Sequence, residues 1–432
     1  MRKMAVWGLV ANLLLTPMAL AAPESDQDRA RSDRMEELER KVEVLAGELE
    51  RLRSERAIPE DPELKSVVGQ DPAASKITRV ARGLSFGGYG EGFYQNIVGD
   101  KGTAEDRADW LRLVLYLGYK FSDRILFNSE IEYEHATTEP TASSGDGSVS
   151  VEFATLDFRL TEAANIRAGL LLVPMGFINK IHEPPFFLGV NRPAVERVII
   201  PATWRENGVG LFGTIGSDLA YEAYVINGFS AEGFRASGLR NGRQQGSKAL
   251  AEHLAFVGKL NWQATDSLFL GASVYHGNSG QNQKTMAGVK IPDTPTTLWE
   301  VHAQFRARGF HARGLVTMAH LGDTSALSAA LMEAISSEML GAYGEVAYDV
   351  LPLLFPETGM SLEPFYRFAY TDTQRDVPSG FARDKSQEIT IHTVGLSFKP
   401  IPNVVIKADY RNRDSRAGDL PDEFNLGIGF AF

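Results

Sequence analysis

The chain has 432 residues, 44% of them hydrophobic, with 41 glycines, 24 phenylalanines, 13 tyrosines and no cysteine. Its 44 Lys and Arg stand against 55 Asp and Glu, a formal charge of −11 that argues against a nucleic-acid partner, and the absence of cysteine excludes a disulfide framework. Beyond residue 21 no apolar run approaches the roughly 18 residues of a spanning helix, so helical spanning is excluded and a closed barrel is not.

Residues 1–21 carry Arg2 and Lys3, an apolar run from Met4 to Leu15 and the small-residue site Ala19-Leu20-Ala21, the pattern of a secretory signal peptide. Its removal would take the formal charge from −11 to −13. Residues 22–82 differ in composition, rich in charge and poor in aromatics, and form an expected periplasmic segment. Met35, Leu38, Val42, Leu45, Leu49 and Leu52 alternate spacings of three and four, with Glu36/Arg40 and Glu37/Lys41 pairs beside them. This seam predicts a short N-terminal coiled-coil helix, too brief to be stable unless an oligomeric barrel holds it. A single amphipathic helix on the periplasmic rim is the alternative. Pro59, Pro62, Gly69 and Pro72 then mark a linker.

From residue 83 to 432 the pattern is all-β: a transmembrane antiparallel β-barrel of about 16 strands, each near the ten residues that cross a bilayer at a tilt. Leu111, Leu113, Leu115, Leu117, Tyr119 and Phe121 share one face of a strand, opposed by Arg112, Tyr116 and Lys120. After a Ser122-Asp123-Arg124 turn, Ile125, Phe127, Ile131 and Tyr133 oppose Asn128, Glu130, Glu132 and Glu134. Strands are predicted over 84–97, 110–121, 125–135, 149–160, 166–173, 207–215, 219–228, 252–262, 268–276, 297–307, 310–320, 339–349, 361–371, 387–399, 403–411 and 423–432. Tight and long connections alternate, which assigns the tight ones to the periplasm. The connection Val350 to Met360 breaks that rule with two prolines and an apolar run, and Gly322 to Glu338 has the Ala, Leu and Met content of a short helix.

The stretch from Pro174 to Asn207 is the longest connection and holds Phe177, Ile178, Phe186, Phe187, Leu188, Val198, Ile199 and Ile200, too apolar to lie in water. It is expected to fold inward and leave Lys180, His182, Glu183, Arg192, Glu196, Arg197, Arg205 and Glu206 to line a constriction. A lid over the mouth or a contact between barrels is the other reading. About sixteen strands leave an aqueous channel, where eight would fill themselves. The chain ends on Phe424, Leu426, Ile428, Phe430 and Phe432, one apolar face that ends flush with the chain, as a closing barrel strand should.

The segment Arg167 to Phe177 (RAGLLLVPMGF), the run Arg205-Glu206-Asn207-Gly208-Val209-Gly210 and the aromatic C-terminus resemble the phosphate-selective porins O and P. The resemblance implies a sixteen-stranded trimer, loops folded into the lumen, and anion uptake along a ladder of basic side chains. In this chain the inward rows mix Arg112, Lys120, Arg159, Arg167, Lys259, Arg306, Arg313, Arg367, Lys407 and Arg411 with Glu130, Glu132, Glu134, Asp157, Glu300, Glu345, Asp349 and Asp409. Two arrangements are open: basic and acidic walls that set up a transverse field, or charges that pair locally. Arg240, Arg243 and Lys248 form a third group in an outer loop, placed to gather anions or to bind lipid phosphates.

Other function classes find little support. The chain has no Gly-x-Ser-x-Gly elbow and no His-Glu-x-x-His pair, His182-Glu183 runs into two prolines, and no enzyme activity, cofactor or metal is expected. An energy-coupled transporter would need about twenty-two strands and a plug. The expectation is a bacterial outer-membrane porin, a homotrimer in outer-membrane lipid, that passes small hydrophilic solutes and, by resemblance, anions such as phosphate. The alternative is a plugged surface barrel that acts as an adhesin or binding protein.

Overall fold

The computed structural model describes Glu37, Lys41, Val42 and residues 73–100, 105–139 and 147–432. The chain divides into a unit Met1–Arg51 and a unit Leu52–Phe432. In the first, Glu37, Lys41 and Val42 are helical, and Lys41 Nζ meets Glu37 Oε1 at 2.7 Å as the i,i+4 spacing predicts. The expected signal peptide, the rest of the heptad seam and the linker prolines lie outside the described residues.

The second unit is a single closed sheet. Its strands are β1 (Gly83–Ile97), β2 (Arg107–Ser122), β3 (Ile125–Glu134), β4 (Ser148–Arg159), β5 (Asn165–Leu172), β6 (Arg205–Ile215), β7 (Leu219–Asn227), β8 (Leu254–Thr265), β9 (Leu268–Asn278), β10 (Pro295–Ala307), β11 (Phe310–Leu321), β12 (Glu338–Tyr348), β13 (Ser361–Asp376), β14 (Glu388–Ile401), β15 (Val404–Ser415), β16 (Gly418–Asp419) and β17 (Glu423–Ala431). Sixteen of these form the barrel, and the two-residue β16 is an extra rung beside β15. Each barrel strand pairs antiparallel with its neighbour, and β1 closes the sheet on β17 from Tyr89↔Ala431 to Ile97↔Glu423. Closure leaves no free edge, the condition for a sheet to sit in lipid.

All sixteen predicted strands are present, because the period of two continues through each of them. Along β2, Leu113, Leu117 and Tyr119 are 37%, 38% and 41% exposed, whereas Arg112, Val114 and Tyr116 are buried. On β17, Phe424, Leu426 and Ile428 face out, as does Phe432 just past its end, and Asn425 is fully buried. An apolar exterior this continuous is a lipid-facing surface, far beyond the patches of a water-soluble monomer. Aromatics mark its two margins: Phe86, Tyr119, Phe121, Phe310 and Tyr348 near the short turns, Tyr94, Tyr133, Tyr410 and Phe424 near the long loops.

Several boundaries need correction: β13 runs on to Asp376 and β15 to Ser415, past their expected ends, and two connections differ. The long connection ends at Trp204, since Leu172↔Arg205 and Leu171↔Glu206 extend the ladder into the stretch read as loop. The connection after β12 opens with a short helix, Leu351–Leu354, that leaves Leu353, Leu354 and Phe355 exposed beyond the rim. The helix expected between Gly322 and Glu338 forms over Thr324–Leu331 and buries Leu327.

Candidate functional site in the barrel lumen

The segment 173–204 leaves β5, enters the barrel and touches walls on opposite sides. Val173, Met175, Val195, Ile199, Ile200 and Trp204 are at most 1% exposed and join a core with Tyr224, Val257, Tyr275, Leu298, Leu315 and Tyr343 from the facing strands. Trp204 stacks on Phe229 at 4.4 Å and lies 5.1 Å from Tyr275. Polar ties accompany this burial. Glu196 accepts from Ile178 N at 2.6 Å and from Tyr343 Oη at 2.6 Å, Lys259 Nζ donates to Gly176 O at 2.5 Å, and Asp409 accepts from Val190 N at 2.6 Å. The closing strand makes room for the segment with glycine: a Cβ on Gly429 would sit 2.3 Å from Pro184 Cβ, and one on Gly427 3.1 Å from Val190.

A second inward segment was missed by the sequence reading. Ala74–Thr78 forms a 3-10 turn on the inner faces of β1, β2 and β3, with Ala73, Ala74 and Ile77 at most 2% exposed. Ala73 N donates to Glu183 Oε1 at 3.0 Å, Asn128 Nδ2 to Ala74 O at 2.8 Å, and Lys120 Nζ to Val80 O at 3.0 Å. Nothing in residues 73–78 announces this position. The docking partners Asn128, Lys120 and Glu183 come from three distant parts of the chain.

Many of the charged residues expected on the inward rows are buried and paired, whereas Asp349 lies past the end of β12 and accepts from Leu351 N and Leu362 N. Arg112 meets Glu91 at 2.9 Å and Glu132 at 3.0 Å. Arg167 forms a bidentate pair with Asp157, 2.7 Å on both arms, and covers the Phe212 ring. Arg313 and Arg367 share Glu345, and Arg367 also donates to the loop carbonyls of Leu188 and, at 2.9 Å, Asn191. Arg306 meets Glu363 at 3.5 Å, and Arg411 pairs with Glu423. Arg159 is half-buried at the end of β4. Of the two arrangements left open by the sequence, these ladders follow local pairing.

Of the loop residues expected to line a constriction, Lys180 is buried against Glu222, and burial pushes its ammonium down to about 8. His182 is fully buried, its Nε2 lying 3.3 Å from Glu130 Oε1 and 3.4 Å from Glu152 Oε2, with Tyr89 edge-on at 5.7 Å. Arg205 reaches Glu152 at 3.2 Å. Glu206 accepts from Asn227 at 2.5 Å and from Gln244 N at 2.9 Å. Arg192 remains half-buried, donating to His182 O at 3.5 Å, and Arg197 is exposed. Beside Pro184, Val190, Asn191 and Lys407 the loop leaves a cleft of about 40 Å³. That is room for water only.

Glu152 and Glu222 are lumen residues that the sequence reading did not name. Glu222 follows the ordinary alternation of β7. Glu152 is a β-bulge: Glu130 pairs with Phe153 and Ile131 with Val151, so the extra residue turns inward. Its signal is a phase slip, since Val149 and Val151 face out before it and Leu156 after it. At the long-loop end, Arg240 and Arg243 donate to Ala202 O, Arg243 also to Thr203 O, while Lys248 is exposed. Burial and the neighbouring Arg197 lower the pKa of Arg240 to about 10, which leaves it charged at neutral pH.

No family model matches the chain. A protein of Aquifex aeolicus (strain VF5), described as uncharacterized, is 36% identical over 396 residues, covering 88% of this chain and 87% of that protein. Among solved structures, OmpTdeltaL8, the loop L8 deletion mutant of the Vibrio cholerae outer membrane protein OmpT, is 11% identical at a TM-score of 0.51, covering 82% of this chain and all of its own. The outer membrane channel DcaP of Acinetobacter baumannii is 14% identical at 0.50, covering 81% and 97%. OmpF of Salmonella typhi, in complex with daunomycin, is 12% identical at 0.51, covering 82% and 98%. With the fold of these sixteen-stranded outer-membrane barrels and that level of sequence identity, the chain belongs to the same family as the Aquifex aeolicus protein.

Proposed function

We propose that this protein is a passive channel of the bacterial outer membrane for small hydrophilic solutes, with residues 173–204 setting its bore. The observation that carries the reading is a closed barrel with an apolar exterior, a charged interior and a long loop folded into that interior. The signal pattern of residues 1–21 would deliver the chain to the periplasm. A homotrimer is proposed from the resemblance to porins and from the trimer form of Vibrio cholerae OmpT. Preference for anions such as phosphate rests on the family resemblance and on Arg192 and Arg197, the loop cations with the most solvent contact.

The test is reconstitution in a planar bilayer, with single-channel conductance and reversal potential recorded across a chloride gradient, then repeated after deletion of Pro184 to Ala202. The deletion should enlarge the conductance. An unchanged value would remove the loop from the pore. A second reading, a plugged barrel that binds through its outer loops, is favoured by the ties of the loop to opposite walls and by the water-sized cleft beside it. Silence of the wild type with current in the deleted form would support it.

A further inference from the structure

His182 and Glu183 precede two prolines, and their sequence context gives no metal motif. The fold supplies what the sequence spacing lacks. His182 on the loop, Glu130 on β3 and the bulged Glu152 on β4 place an imidazole nitrogen and two carboxylate oxygens within 4.8 Å of one another, all three side chains fully buried.

Two observations point to a cation at this place. The separations of His182 Nε2 from the two carboxylates, 3.3 and 3.4 Å, are long for charge-assisted hydrogen bonds, which run about 2.7–2.9 Å. They match the edge of a tetrahedral site with ligand bonds of about 2.0–2.1 Å, roughly 3.3–3.4 Å. Second, Glu152 Oε2 is buried and faces His182 Nε2 at 3.4 Å without a hydrogen bond of good geometry, on a residue that the bulge turns inward out of register.

We propose that Glu130, Glu152 and His182 bind one divalent cation of the class that accepts mixed imidazole and carboxylate ligands, such as Zn²⁺ or Mn²⁺. The ion fastens the loop to the β3–β4 wall, because one ligand belongs to the loop and the others to the barrel. Ion exchange therefore requires the loop to move. The site stands whether or not the barrel conducts, since its test reads metal content.

The full-length protein, folded and purified in detergent, would be stripped with chelator, dialysed against Zn²⁺ or Mn²⁺ at increasing free concentration and assayed for bound metal and thermal midpoint. The wild type should retain about one ion per chain with a midpoint that rises with free metal. His182→Ala and Glu152→Gln should each weaken retention by at least about tenfold and flatten that rise, as ligand-site losses do. His135→Ala, which removes an exposed histidine paired with Asp109, should behave as wild type. Folding of each variant is checked by heat-modifiable gel mobility. Should both site variants fail to fold, the wild-type titration decides. Sub-stoichiometric retention by the folded wild type, or equal retention by wild type and site variants, would overturn the proposal.

Discussion

The two halves of the long inward segment are seated by different physics. Its C-terminal half, Val195 to Trp204, is held by apolar area: Val195, Ile199 and Trp204 are fully buried against Tyr224, Tyr275 and Tyr343. Its middle, Lys180 to Asn191, is held by polar contacts with Glu222, Glu130, Glu152, Arg367 and Asp409. Apolar seating is non-directional and tolerates small shifts, whereas buried ion pairs hold only when every partner is present in the right geometry. The difference predicts that the apolar half stays docked under conditions that release the polar half.

The largest expected effect strikes the apolar half. Trp204→Ala removes the ring stacked on Phe229 and should cost about 3–5 kcal/mol, read as a lower denaturant midpoint. A loss below about 1 kcal/mol would mean that apolar burial does not anchor this half. Next, Glu345→Gln deprives Arg313 and Arg367 of their shared carboxylate and should cost about 3 kcal/mol, since buried guanidiniums are left uncompensated. Proteolysis around Leu188 should quicken while the aromatic core near Trp204 keeps its near-ultraviolet signal. If both halves loosen together, the division drawn above is wrong.

Gly429→Val probes the same division sterically, because its side chain would run into Pro184; overpacking of this kind costs about 1–3 kcal/mol. The polar half should undock, with faster cleavage near Pro184 and a global midpoint shifted by less than in Trp204→Ala. Arg306→Ala is the small control. Its contact with Glu363 is 3.5 Å and partly solvated, so a change below about 1 kcal/mol is expected. A larger change would show that wall charges away from the loop carry the lumen's stability.

Legibility followed the same line. The barrel was readable because alternation is a local property, and Leu113, Leu117 and Tyr119 against Arg112 and Tyr116 need only each other to declare a strand. The inward course of the long loop was readable from Ile178, Phe187, Ile199 and Ile200, which water would not accept. The partners of its charged residues were not. His182 meets Glu130 and Glu152, 52 and 30 positions away, only because strand register and one bulge bring them round. The turn at Ala74–Thr78 was assigned to a periplasmic linker for the same reason, since its contacts with Asn128, Lys120 and Glu183 exist only after closure.

By itself, then, the amino-acid sequence determined an all-β chain with one oily and one polar face per strand, sixteen barrel strands, and a loop too apolar to remain outside. Those follow from periodicity and from the cost of exposing hydrocarbon to water. Tertiary structure decided that the lumen arginines face carboxylates rather than an open ladder, that Glu152 points inward, and that glycine at 427 and 429 gives the loop its seat. Each depends on which residues face one another across a closed barrel, and that register is fixed by the whole ring of strand pairings.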